Sequence, residues 1–134
     1  MLTAKEIDEH ELHGAQPVMQ VADMNAALAF YRDVLGFEVD FVAGEPPVAA
    51  RVSSGARDHA SAARIRLVSS DAAGARADKS YTWIHVGRDL DGLFEKYRKA
   101  GVDIVSAPEN RPWGLRDFRV RDPDGHLFCF AGEI

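Results

Sequence analysis

Two stretches of this chain carry the same order of residue types at one fixed offset. Val21 and Val86, Leu28 and Leu93, Gly36 and Gly101, and Val39 and Ile104 are each 65 positions apart. A constant offset over such pairs points to an internal duplication. In the first stretch, "PVMQVADMNAALAFYRDVLGFEVDFV", alternation runs through Val21, and Asp23 or Asn25 is placed to cap a helix. Leu28, Tyr31 and Leu35 then recur at helical spacing before Gly36, which supplies the left-handed stop. The second stretch, "YTWIHVGRDLDGLFEKYRKAGVDIVSA", repeats this with Val86, a cap at Asp89, Leu93, Tyr97 and Ala100 on one face, and Gly101. Three strands are expected after each helix, at 37–43, 48–53 and 63–69 and again at 102–107, 116–121 and 127–131. Each half is therefore a βαβββ unit. The small, polar, glycine-containing segments 53–63 and 69–80 read as a hairpin loop and a linker.

The fold class expected is α+β: two βαβββ modules forming a curved mixed sheet with an open concave cleft. A sheet with a helix on one face leaves the other bare, and two such units side by side enclose a hollow. Alternation in the opening strand sends Pro17, Met19 and Val21 to the helix and Gln16, Val18 and Gln20 to the hollow. In the matching strand Thr82, Ile84 and Val86 face the helix, which leaves Tyr81, Trp83 and His85 in the cleft.

Composition narrows the class further. With 134 residues, 46% hydrophobic and 28% charged, the chain is sized for one domain with its own core. Residues 1–15 read as an arm or short helix and 16–134 as the domain, with module one at about 16–70 and module two at about 80–131. No apolar run reaches the roughly 18–20 residues a bilayer demands, and the polar, acidic start does not resemble a secretory signal, so a cytoplasmic protein with no membrane partner is expected. Cys129 is the sole cysteine, which excludes an intrachain disulfide and a thiolate zinc cluster. A formal charge of −5 without a basic stripe argues against nucleic acid as partner.

The carriers of a family resemblance are "VADMNAALAFYRDVLGFEV" and "PWGLRDFRVRDPDGHLFCF". With the repeat, they make the chain resemble the vicinal oxygen chelate superfamily, which includes glyoxalase I, extradiol dioxygenases, fosfomycin resistance enzymes and bleomycin-resistance proteins. Catalytic members hold a divalent ion through His, Gln or Glu on the first and last strands of each half. Here those positions fall on Gln16, Tyr81, Cys129 and one of Arg64, Arg66 or Val68. A catalytic site needs about three good protein ligands, so the resemblance implies no metal and no cofactor, with Gln16 the only matching position. "PWG", "RDP.G", "YTWIHV" and "LDGLF" are closest to the bleomycin-resistance type. That branch implies a homodimer that sequesters a small aromatic or drug-like molecule, antibiotic binding included, without chemistry.

The expected ligand-binding residues are Trp113, Trp83, His85, Gln16, Tyr81, Arg66, Arg119 and Cys129. Trp113, between Pro112 and Gly114, is a platform for a flat ring or a turn anchor. Trp83 and His85 contact ligand or pack across a dimer interface. Cys129 is an inert small hydrophobe or a reactive thiol. Arg66 and Arg119 are turned to the cleft by their apolar neighbours, where a guanidinium suits a carboxylate or phosphate. His126 and His59 are expected in solvent, and His10 and His13 in the exposed arm. Two rival readings stand beside sequestration. One is a lyase, isomerase or dioxygenase using Zn, Ni, Mn or Fe on Gln16 and other ligands, His85 among them; the other is a protein-interaction module.

Overall fold

The computed structural model describes residues 1–11, 14–54, 62–70 and 81–134. Most of the expected hairpin loop and linker, with His13 and His59, lie outside the described residues. A short helix, α1 (Ala4–Asp8), opens the chain. It starts in a reciprocal cap: Thr3 N–H donates to Glu6 Oε2 at 2.9 Å and Glu6 N–H to Thr3 Oγ1 at 3.3 Å. Module one follows as β1 (Val18–Val21), α2 (Met24–Ala29) continuing through a π-helical turn Phe30–Val34, β2 (Glu38–Ala43), β3 (Ala49–Ser53) and β4 (Arg64–Ser69). Module two repeats it as β5 (Thr82–His85), α3 (Leu90–Lys99), β6 (Asp103–Asn110), β7 (Leu115–Arg121) and β8 (Leu127–Glu133).

Each module forms a four-stranded mixed sheet, in the orders β1-β4-β3-β2 and β5-β8-β7-β6. The expected curved sheet is thus two sheets that share no ladder, each with one parallel pair, β1 with β4 or β5 with β8. Just past the second parallel pair the two backbone segments come very close: a Cβ added to Gly132 would lie 2.8 Å from the Val86 carbonyl oxygen.

The helices obey a different register from the strands. Asp23 caps α2 by accepting Ala26 N–H, and Asp89, at φ +55°, caps α3 by accepting Gly92 N–H, each at 3.1 Å. Those caps are 66 positions apart, as are Tyr31 and Tyr97, whereas Gly36 and Gly101 return to 65. The π turn absorbs the difference: Leu35 N–H bonds the Phe30 carbonyl, five residues back, so α2 spends one extra residue before its glycine. The counterpart of Leu28 in α3 is consequently Phe94, not Leu93. Ala100, expected on the buried face, is exposed, and Leu90, Leu93, Phe94 and Tyr97 make that face instead.

One apolar core spans both modules. Tyr31 packs edge-on against Phe128 of the other module with centroids 6.1 Å apart, and its hydroxyl donates to Asp122 Oδ2 at 2.8 Å. Reciprocally, the Tyr97 hydroxyl donates to the Leu35 carbonyl at 3.1 Å. Ala22 N–H adds a third link, to Asp124 Oδ1 at 3.0 Å. Asp122 and Asp124 belong to the Asp122-Pro123-Asp124-Gly125 turn, whose Gly125 sits at φ +88°. Asp122 Oδ1 accepts the N–H groups of Asp124 and His126 at 3.0 and 2.7 Å. His126, expected in solvent, is instead partly buried with Nδ1 2.7 Å from Asp122 Oδ2. An ionised carboxylate accepts only, so Nδ1 carries the hydrogen.

Candidate ligand cleft

Strand alternation sends Phe118, Val120, Phe128 and Phe130 into the core, so their neighbours face the other way. Ladder pairing then aligns one residue from each strand in a row across the second sheet. Trp83 lies beside Cys129, Cys129 beside Arg119, and Arg119 beside Ser106. Trp83 is 48% exposed and stacks on His85, with ring centroids 5.9 Å apart and planes 25° from parallel. The Arg119 guanidinium carbon stands 4.9 Å from the Tyr81 ring centroid, within cation–π range. Of the expected residues, Trp83, His85, Tyr81, Arg119 and Cys129 are brought together on this face.

Two polar atoms of the row, Arg119 Nε and Ser106 Oγ, are buried without a hydrogen-bond partner. Each such atom costs about 1–3 kcal/mol unless something else satisfies it. The buried carboxylate of the same face, Asp117, is already held by Arg111, whose Nε and Nη2 donate to Oδ1 at 3.1 and 2.9 Å. Arg111 also meets Glu109 at 3.2 Å. Asp117 and Ser106 were not anticipated, although the alternation that turned Arg119 to the cleft turns Asp117 there as well. Cys129 is 1% exposed. Burial and the nearby Asp117 charge push its thiol up against the opposing pull of Arg119, so it is neutral at pH 7 and packs as a small hydrophobe.

The face of module one is more open. Val18, Arg66, Arg51 and Phe41 form its row, and Val18 and Phe41 are 55% and 41% exposed. Arg51 pairs with Asp40 at 2.8 Å, and Ser53 Oγ donates to the same carboxylate at 3.0 Å. Arg66 lies 5.8 Å from the Phe41 ring centroid. Gln16 is exposed just ahead of β1. Trp113, 67% exposed, occupies the tip of the β6–β7 hairpin, where Gly114 adopts φ +89°.

Sequence reasoning missed a cavity. About 660 Å³ opens between the modules on their helix side, walled by Pro17, Phe37, Ile65, Ile84, Leu93 and Phe130. It explains why Thr82, Ile84 and Val86 are only partly buried although they face the helix. Trp83 and His85 reach the same cavity. The signal was absent from the sequence because alternation fixes a side chain's direction but not how closely the second module approaches it.

The donor chemistry does not suit a catalytic divalent ion. Among the described residues no group of three or more His, Cys, Asp or Glu is placed to hold one, and the positions to which the resemblance assigns ligands hold Gln16, Tyr81, the buried Cys129 and one of Arg64, Arg66 or Val68. A guanidinium has no lone pair to offer.

Comparison with known proteins fixes the family. The model of the Glyoxalase/Bleomycin resistance protein/Dioxygenase superfamily matches residues 14–130. The chain belongs to that superfamily. Among solved members, the bleomycin-binding protein from bleomycin-producing Streptomyces verticillus, complexed with copper(II)-bleomycin, is 29% identical. The alignment covers 92% of this chain and 98% of that one at a TM-score of 0.70. A superfamily member from Sphaerobacter thermophilus DSM 20745 is 26% identical over 92% and 99% of the two chains, TM-score 0.68. A glyoxalase-related enzyme from Clostridium phytofermentans shares the fold at 20% identity, with 92% and 96% covered and a TM-score of 0.69. Comparison with curated protein sequences finds no match.

Proposed function

We propose that this protein binds a small, partly aromatic molecule noncovalently and without a metal, in a cleft completed by a second copy of the chain. The observation that carries the reading is the row Trp83, Cys129, Arg119 and Ser106, with Tyr81 and His85 beside it: half-exposed rings next to buried polar atoms that the protein leaves unsatisfied. Rings with a few convergent polar groups are the usual lining of a ligand site. Val18, Phe41, Tyr81 and Trp83 expose large apolar surface on the two sheet faces, which supports pairing of module one of one copy with module two of another. The Streptomyces verticillus relative, which binds copper(II)-bleomycin, supports sequestration as the role.

A thermal-shift screen against aromatic acids, bleomycin-like drugs and thiol conjugates tests the reading, because a ligand of the folded state raises the melting temperature with concentration. A hit is expected to quench tryptophan fluorescence in the wild type and to lose affinity in Trp83→Ala. The rival, a metal-dependent lyase, isomerase or dioxygenase, has the glyoxalase-related neighbour in its favour. Stoichiometric Zn, Ni, Mn or Fe in purified protein, lost in Gln16→Ala, would establish it instead.

A further inference from the structure

We infer that the cleft selects a planar aromatic anion, its ring against Trp83 and its carboxylate against the Arg119 guanidinium and the Ser106 hydroxyl. This deepens the binding reading above and rests on it. The first observation is where the arginine charges go. Arg32, Arg51, Arg98, Arg111 and Arg116 each meet a carboxylate, and Arg121 donates to the Gly125 carbonyl. Arg119 and Arg66 lie against the rings of Tyr81 and Phe41 and meet no carboxylate among the described residues.

The second observation is independent of charge counting. Arg119 and Ser106 are paired residues across the β6–β7 ladder, and neither Arg119 Nε nor Ser106 Oγ has a hydrogen-bond partner. A donor fork beside a hydroxyl matches the two oxygens of a carboxylate, which accepts from both. Asp117 does not fill the role, since Arg111 holds it. The third is shape. Trp83 and Cys129 precede Arg119 in the row, so a ring lying on Trp83 directs a substituent along the row toward the guanidinium. A cationic ligand would meet that guanidinium with like charge and leave the Arg119 Nε–H without an acceptor.

The test uses three probes with one ring system, 2-naphthoate, 2-naphthamide and 2-naphthylmethylammonium, titrated against the full chain by tryptophan fluorescence and calorimetry. Naphthoate is expected to bind at least tenfold more tightly than the amide, with the ammonium weakest. In Arg119→Gln the preference for naphthoate over the amide should fall to within about twofold. Arg119→Lys keeps the positive charge but not the fork, and is expected to retain part of the preference with a steeper salt dependence; it serves if the Gln variant does not fold. Ser106→Ala should weaken naphthoate and leave the amide unchanged. Binding of all three probes with equal affinity, or a preference that survives Arg119→Gln, overturns the inference while leaving the binding reading intact. Failure of every probe to bind overturns the inference, and the binding reading falls with it only if the thermal-shift screen also gives no hit.

Discussion

Replacing Tyr31 by Phe removes one oxygen and leaves the ring, so it isolates the hydrogen bond that ties the helix of module one to the turn of module two. Tyr31 is 0% exposed, and burial with the neighbouring Asp122 carboxylate pushes its ionisation far upward. The phenol therefore stays protonated and donates throughout the accessible pH range. A hydrogen bond to a charged acceptor contributes about 1.5–3 kcal/mol. Asp122 keeps its three other contacts, from Asp124 N–H, His126 N–H and His126 Nδ1, so the lower half of that range applies. At about 3–5 °C per kcal/mol, between the values for domains of ~100 and ~150 residues, the variant should melt roughly 4–11 °C below wild type by calorimetry at pH 7. Tyr97→Phe is the control: its hydroxyl bonds a neutral carbonyl, for which about 0.5–1.5 kcal/mol is expected. A Tyr31→Phe melting point within about 1 °C of wild type, or a larger loss from Tyr97→Phe, would refute the idea that Asp122 anchors the two modules to each other.

His126 makes stability depend on pH in a defined direction. Its hydrogen bond to Asp122 raises its pKa, with burial opposing. A raised value means the stabilisation is fully present below the unfolded pKa of about 6.5 and is lost as pH rises through the folded one. The melting-point gap between wild type and His126→Gln should accordingly be wider at pH 6 than at pH 9. Gly132→Ala should destabilise by about 1–3 kcal/mol, as overpacking does, because the atom its Cβ meets is the Val86 backbone oxygen; a melting curve settles it. Cys129 should remain unmodified by iodoacetamide in the native protein at pH 7 and react fully once denatured, as mass spectrometry would record.

The repeat made the architecture legible, because strand limits follow from period-two alternation and helix ends from Asp caps and glycines. Residues such as Trp83 and Arg119 could be assigned to a face for the same reason. The one-residue slip between α2 and α3 was hidden, since an extra residue in a π turn and one before Asp89 cancel in the overall offset. His126 was misplaced because its ring folds back onto the buried Asp122 carboxylate, a contact that depends on how the turn closes. The cavity between the modules and the orphaned atoms of Arg119 and Ser106 are properties of how sheets and side chains meet in three dimensions. No local pattern encodes them.

The decisive measurement is a tryptophan-fluorescence titration of chelator-treated protein, with its metal content verified, using the strongest hit of an aromatic panel. Saturable quenching with the same Kd before and after chelation, weakened in Trp83→Ala, is the predicted result. Binding or turnover that returns only when Zn, Ni, Mn or Fe is restored, and that Gln16→Ala abolishes, would contradict it.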